Sequence, residues 1–68
     1  MNKNERECLI SKLNKTNKEI KIEESMLEHS VGKKDITMVE WIEIELRLLN
    51  NQKIMIEQAL INDFLEEL

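Results

Sequence analysis

The chain has no proline and no tyrosine, and only one glycine, one cysteine, one histidine and two aromatic residues in 68 positions. Each shortage excludes something. With Gly32 as the only glycine, sheets joined by tight turns and loop-rich scaffolds have little to build on. Cys8 alone cannot form an intrachain disulfide, and His29 alone cannot complete a Cys/His zinc site. This cysteine usage suits a reducing compartment. Long apolar runs are missing too: the longest have three residues, such as Ile54-Met55-Ile56 and Ala59-Leu60-Ile61. A membrane span needs about 20 and a signal-peptide core about 7. The expectation is a soluble, cytoplasmic protein that makes no use of a membrane.

What is present points to helix. Hydrophobic residues make up 41% of the chain and charged residues 35%, a balance suited to folded rather than disordered chains. The length allows one domain, residues 1–68. A chain this short rarely buries enough surface to be stable alone without staples, metals or partners. Self-association or a protein partner is therefore expected. The net charge of −4 is uneven: residues 1–35 hold eight Lys/Arg against seven Asp/Glu, and residues 36–68 hold two against seven.

The second half is the clearer helix. Thr37-x-x-Glu40 fits a capping box, with Ile36 and Trp41 as the matching hydrophobic staple. Nothing interrupts the chain from there, so the sequence predicts a helix over about 38–67, roughly 45 Å long. The first half predicts a helix over about 4–30. Asn4 is its expected N-cap, and Gly32 its expected left-handed terminator, with Lys33 and Lys34 near the negative end of the helix dipole. Its apolar stripe is Leu9, Leu13, Ile20, Leu27 and Val31. The run Asn14 to Glu19 has no apolar side chain, and Thr16-x-x-Glu19 is a second possible capping box, so a break there is the alternative to one continuous helix. The short connection over about 31–36 favours antiparallel neighbours. That arrangement lays the basic stretch 3–21 beside the acidic stretch 54–68. The expected fold is all-α: an antiparallel hairpin of two long helices, self-associating into a helical bundle.

On a helical wheel of the second helix, Met38, Ile42, Leu46, Leu49, Ile56, Leu60 and Phe64 share one stripe, interrupted once by Lys53. This stripe is expected to face the first helix. Two apolar groups are left over. One is Trp41, Ile44, Leu48, Met55 and Ala59; the other is Ile54, Ile61, Leu65 and Leu68. An arc this wide is covered from more than one side, by a second copy or by a different protein. Trp41, Ile44, Leu48 and Met55 are the candidate protein-binding residues.

Catalytic chemistry finds little here. If the first helix is continuous, 21 positions separate Cys8 from His29, or roughly 30 Å, so no intrachain dyad forms. Cys8 is expected to be a buried small hydrophobe. The Glu-x-x-His pattern of di-iron bundles does not occur, nor does any glycine-rich phosphate loop or calcium loop. No catalytic residue, cofactor or metal ligand is expected, and the reading is non-enzymatic. Lys12, Lys15, Lys18 and Lys21 form a basic run. They spread over about half of the helix circumference, with no aromatic residue between them for base stacking, in an acidic chain. That argues against nucleic acid.

The layout resembles the small needle co-chaperones of type III secretion, on three features: the hairpin, Gly32 in the connection and Trp41 early in the second helix. The resemblance implies holding an aggregation-prone protein subunit. The hairpin is similar in architecture to the sporulation phosphatases as well, but their Ser-Gln-Glu-Leu-Asp signature has only Glu43-Ile44-Glu45-Leu46-Arg47 as counterpart, without the Ser, Gln or final Asp. The expected function is a small protein-binding module, an adaptor, co-chaperone or inhibitor. The alternative is a Rop-like RNA-binding hairpin dimer that uses the helix-one lysines.

Overall fold

The computed structural model describes all 68 residues and consists of two helices. Helix α1 spans Lys3–Gly32 and helix α2 spans Ile36–Glu67. They lie antiparallel in a rod of 50 × 14 × 13 Å, which is the all-α hairpin the sequence predicts. The rod is as long as α2 itself, whose 32 residues span about 48 Å. Neither helix is long and apolar enough to cross a membrane. Helix α1 runs unbroken through Asn14–Lys18. No Gly or Pro interrupts it there, and Thr16 is turned into the contact with α2, where it is buried.

Both N-caps fall two residues earlier than expected. Asn2, not Asn4, caps α1: its Oδ1 accepts from the Glu5 backbone N–H at 2.8 Å. Arg6 lies on the inner face, one turn before Leu9. Asp35, not Thr37, caps α2: its Oδ1 accepts from the Met38 N–H at 3.1 Å. Ile36 and Trp41 then both lie inside the helix, five positions apart and on different faces. The expected staple between them does not form, and both are exposed.

The connection is shorter than predicted, three residues from Lys33 to Asp35. Gly32 does not take the left-handed conformation; Lys34 does, at φ 57°. The Lys34 N–H donates to the Val31 carbonyl and the Asp35 N–H to the Ser30 carbonyl, each at 3.0 Å. That is a Schellman closure with a lysine in the place glycine usually takes. Asp35 thus ends one helix and starts the next, and the turn needs no further residue.

The inner faces follow a strict seven-residue repeat. On α1 the buried and half-buried line is Arg6, Leu9, Leu13, Thr16, Ile20, Glu23, Leu27 and Ser30. On α2 it is Val39, Ile42, Leu46, Leu49, Lys53, Ile56, Leu60 and Asp63. Steps of three and four alternate on both, the period of a left-handed two-stranded coil. This corrects the expected stripe at both ends of α2. Val39 replaces Met38 and Asp63 replaces Phe64, and the two displaced residues are exposed. The reason is that a wheel drawn at 3.6 residues per turn drifts about 20° per heptad from a seam of period 3.5. The α1 stripe is corrected too: Val31 is exposed and Ser30 is buried.

The seam is thin. Buried residues number five, and only Ile20 and Ile42 among them are apolar. The others are Thr16, Ser30 and Asp63. At the open end the Met1 amine approaches Asp63 Oδ1 at 3.1 Å, and Arg6 Nε donates to Asp63 Oδ2 at 2.8 Å. Arg6 Nη2 also pairs with Glu67. The expected basic-to-acidic pairing therefore rests on Arg6 and the chain terminus. None of the lysines at 12, 15, 18 or 21 forms an ion pair within the chain.

Candidate protein-binding groove

The seven-residue repeat divides the remaining surface into two sides. On one side, positions flanking the seam create two adjoining concavities of about 370 and 380 Å³. Ile22, Glu23, Glu45, Leu48 and Leu49 line the first, and Lys12, Lys15, Thr16, Met55 and Ile56 line the second. Glu19 and Gln52 line both, so the two form one groove along the middle of the rod.

The walls of this groove carry most of the candidate residues. Trp41, Leu48 and Met55 recur every seven positions and so form one line along α2. Leu48 and Met55 line the groove, and Trp41 continues the ridge toward the turn. They are 58%, 72% and 62% exposed, respectively. Ile44 lies one turn from Leu48 on the outer shoulder of the same ridge and is 52% exposed. The structure thus puts three of the four on a line and the fourth beside it. Ala59 is half-buried at the edge of the seam.

Helix α1 supplies a facing wall that the sequence reading did not include. Ile22 stands opposite Leu48 across the groove, and both are exposed. Met26, one turn along from Ile22, is exposed as well. Neither belongs to the apolar stripe of α1, so stripe counting passes over them. The signal that finds them is the heptad register, once Thr16 and Glu23 are recognised as seam positions.

The floor is acidic. Glu23 occupies a seam position, and its Oε2 is buried without a hydrogen-bond partner. Burial pushes its carboxyl above the usual range, and the neighbouring Glu45 and Glu19 carboxylates push it the same way. Two carboxylates can bond to each other only when one carries a proton, so the ionised pair is unsatisfied. Toward the open end the groove turns basic at Lys12 and Lys15.

The opposite side is polar along its middle, at Asn17, Glu24, Glu43 and Asn50. Its apolar residues lie toward the two ends. Val31 and Ile36 are exposed at the turn, where with Val39 they line a concavity of about 360 Å³, and Ile54, Ile61, Phe64, Leu65 and Leu68 are exposed from the middle to the open end. Ile10 and Phe64 there border a concavity that also touches Arg6, Leu60, Asp63 and Glu67.

Cys8 is exposed rather than buried, because it lies two positions from Arg6 on the inner face and so turns outward. His29 sits in the last turn of α1. One continuous helix keeps the two about 30 Å apart. No group of three or more His, Cys, Asp or Glu side chains is arranged to hold a metal ion. In comparisons with known proteins, no family model, no curated protein and no solved structure matches this chain.

Proposed function

We propose that the hairpin is a non-enzymatic protein-binding module, an adaptor, co-chaperone or inhibitor in kind. It works by burying the Trp41–Leu48–Met55 ridge and its facing wall against another helical surface. One observation carries this reading: large apolar side chains line an open groove in a rod whose own interior buries only Ile20 and Ile42. Apolar surface of this extent, rimmed by charge, is what interfaces are made from. The acidic floor and the basic end supply selectivity, because a partner must match both signs along one line.

Trp41 is the only tryptophan, so its emission reports on this ridge alone. The test follows that emission over a dilution series, and with a designed amphipathic helical peptide added at the dilute end. A blue shift on association, lost in Leu48→Glu, is the expected result. Emission that stays that of a water-exposed indole in every associated state would rule the groove out as the docking face.

A second reading rests on the free lysines. Lys12, Lys15, Lys18 and Lys21 have no acidic partner within the chain and are open to phosphates. A salt-sensitive shift with structured RNA, lost on changing Lys12, Lys15 and Lys18, would favour an RNA-binding hairpin instead.

A further inference from the structure

We propose that the occupant of the groove is a second copy of this chain. The two rods dock groove to groove and antiparallel, about a two-fold axis level with Gln52. This rests on the reading of the groove as a protein-docking face and names its partner. Three features of the chain agree with an axis at this height.

The first is length. Halfway along α2 lies between Asn51 and Gln52, and halfway along α1 between Asn17 and Lys18. The Arg6–Asp63 pair sets the register of the seam, and stepping along it brings these two midpoints level with each other. An axis there overlaps the rods over their whole length.

The second is charge. With the axis at that height, α1 runs antiparallel to its copy, and groove-side positions pair about residue 17. Lys15 meets Glu19 of the second copy, a contact that occurs twice. The basic end of one groove thus answers the acidic floor of the other. Turning the copies the other way, with both turns at one end, sets α1 against α2 of the second copy in the same layer. Glu5 then faces Glu66, Lys15 faces Met55, and no opposite charges meet. The acidic open ends also coincide in that arrangement.

The third is shape of the apolar ridge. About Gln52, Leu48 meets Met55 of the second copy and Met55 meets its Leu48. Glu45 lies against Ala59, and Trp41 covers Asn62. The ridge Trp41–Leu48–Met55 is centred on Leu48, so an axis level with Gln52 doubles its Leu48–Met55 half at the centre of the interface and leaves Trp41 toward each end.

The area is of the right size. The rod exposes 5606 Å². A compact monomer of 8.1 kDa exposes about 4,500 Å². The excess, about 1,100 Å², is comparable to the roughly 800 Å² that each partner buries in a standard stable interface.

The experiment uses the full chain with Cys8→Ser as background. Gln52→Cys puts a thiol beside the axis, and Gln58→Cys puts one on the outer side of α2 as control. Solution mass across a dilution series is read alongside disulfide-linked dimer after mild oxidation. A dimer persisting into the low-micromolar range, cross-linked through Gln52→Cys and not through Gln58→Cys, is the expected outcome. Lys15→Glu is expected to weaken it by about tenfold through two repulsive contacts, with recovery in the Lys15→Glu/Glu19→Lys double variant. A monomer at every concentration overturns the proposal, as does a dimer that cross-links through Gln58→Cys instead. If that monomer still shows the Trp41 blue shift with a helical peptide, the groove reading stands and only the second copy falls. If Trp41 stays exposed in every state, both fall.

Discussion

Arg6 and Asp63, 57 positions apart in sequence, meet at 2.8 Å across the open end of the hairpin. This pair closes the rod opposite the three-residue turn and marks how the two helices are aligned. Counted inward from it, Leu9 faces Leu60, Leu13 faces Ile56, Thr16 faces Lys53, Ile20 faces Leu49 and Leu27 faces Ile42. Asp63 is nearly fully buried, and burial alone would raise its pKa. The Met1 amine and the Arg6 guanidinium outweigh that and hold the carboxyl below its usual range. Asp63 in turn raises the pKa of the Met1 amine.

A depressed carboxylate contributes stability above its unfolded pKa, about 3.9 for aspartate. The contribution is lost as pH falls through the lower folded value. The thermal midpoint is therefore expected to drop below about pH 4. Asp63→Asn should have a lower midpoint at pH 7 and a flatter profile in that acid range. An Asp63→Asn profile parallel to that of the parent chain would mean the ion pair does not hold the open end.

Glu23 has the opposite sign. Its folded pKa is raised by burial and by Glu45 and Glu19. A raised carboxyl contributes stability that is complete below its unfolded pKa, about 4.3. That contribution disappears as pH rises through the folded value. Stability is thus expected to increase as the solution is taken from neutral to mildly acidic, before the Asp63 loss begins. Glu23→Gln should remove this increase and be the more stable chain at pH 7. Glu23→Leu, which continues the apolar seam opposite Leu46, should gain about 1 kcal/mol at pH 7. Urea midpoints at pH 7 and pH 5 read both effects.

The turn holds two residues in each other's preferred places. Gly32 is helical, and a Cβ added there meets nothing within 4 Å. Gly32→Ala is therefore expected to stabilise by roughly 0.5–1 kcal/mol. Lys34 sits at φ 57°, where a non-glycine residue pays about 1 kcal/mol, so Lys34→Gly should also stabilise. For a domain this size, 1 kcal/mol corresponds to about 4–8 °C in thermal midpoint. Destabilisation by Gly32→Ala would place the left-handed residue at Gly32 after all.

These residues show how much the sequence tells. The hairpin follows from two uninterrupted helical stretches with a short polar link. Its details follow from competitions that composition does not display. Asp35 caps α2 in preference to Thr37 because it also closes α1, a double use invisible when each helix is read separately. Thr16, Glu23, Ser30, Lys53 and Asp63 are seam residues, yet none is apolar, so a search for a hydrophobic stripe misses their register. The groove walls Trp41, Leu48 and Met55 were legible as surplus apolar residues. Ile22 and Met26 opposite them were not, because their face is defined only after the seam is known.

The ridge can be tested separately from the fold. Trp41 and Leu48 lie off the seam and are more than half exposed, so the hairpin does not depend on them. Trp41→Ala and Leu48→Glu are expected to abolish association while leaving helicity close to that of the parent chain. Removing a large apolar anchor from an interface costs about 2 kcal/mol or more, at least roughly thirtyfold in affinity. Ile61→Glu, on the opposite side at the open end, serves as the control for added charge and lost apolar surface. It should leave association intact if the groove is the docking face. Loss of assembly in Ile61→Glu with retention in Leu48→Glu would move the interface to the patch formed by Ile54, Ile61, Leu65 and Leu68. Circular dichroism and solution mass on the same samples separate these outcomes from simple unfolding.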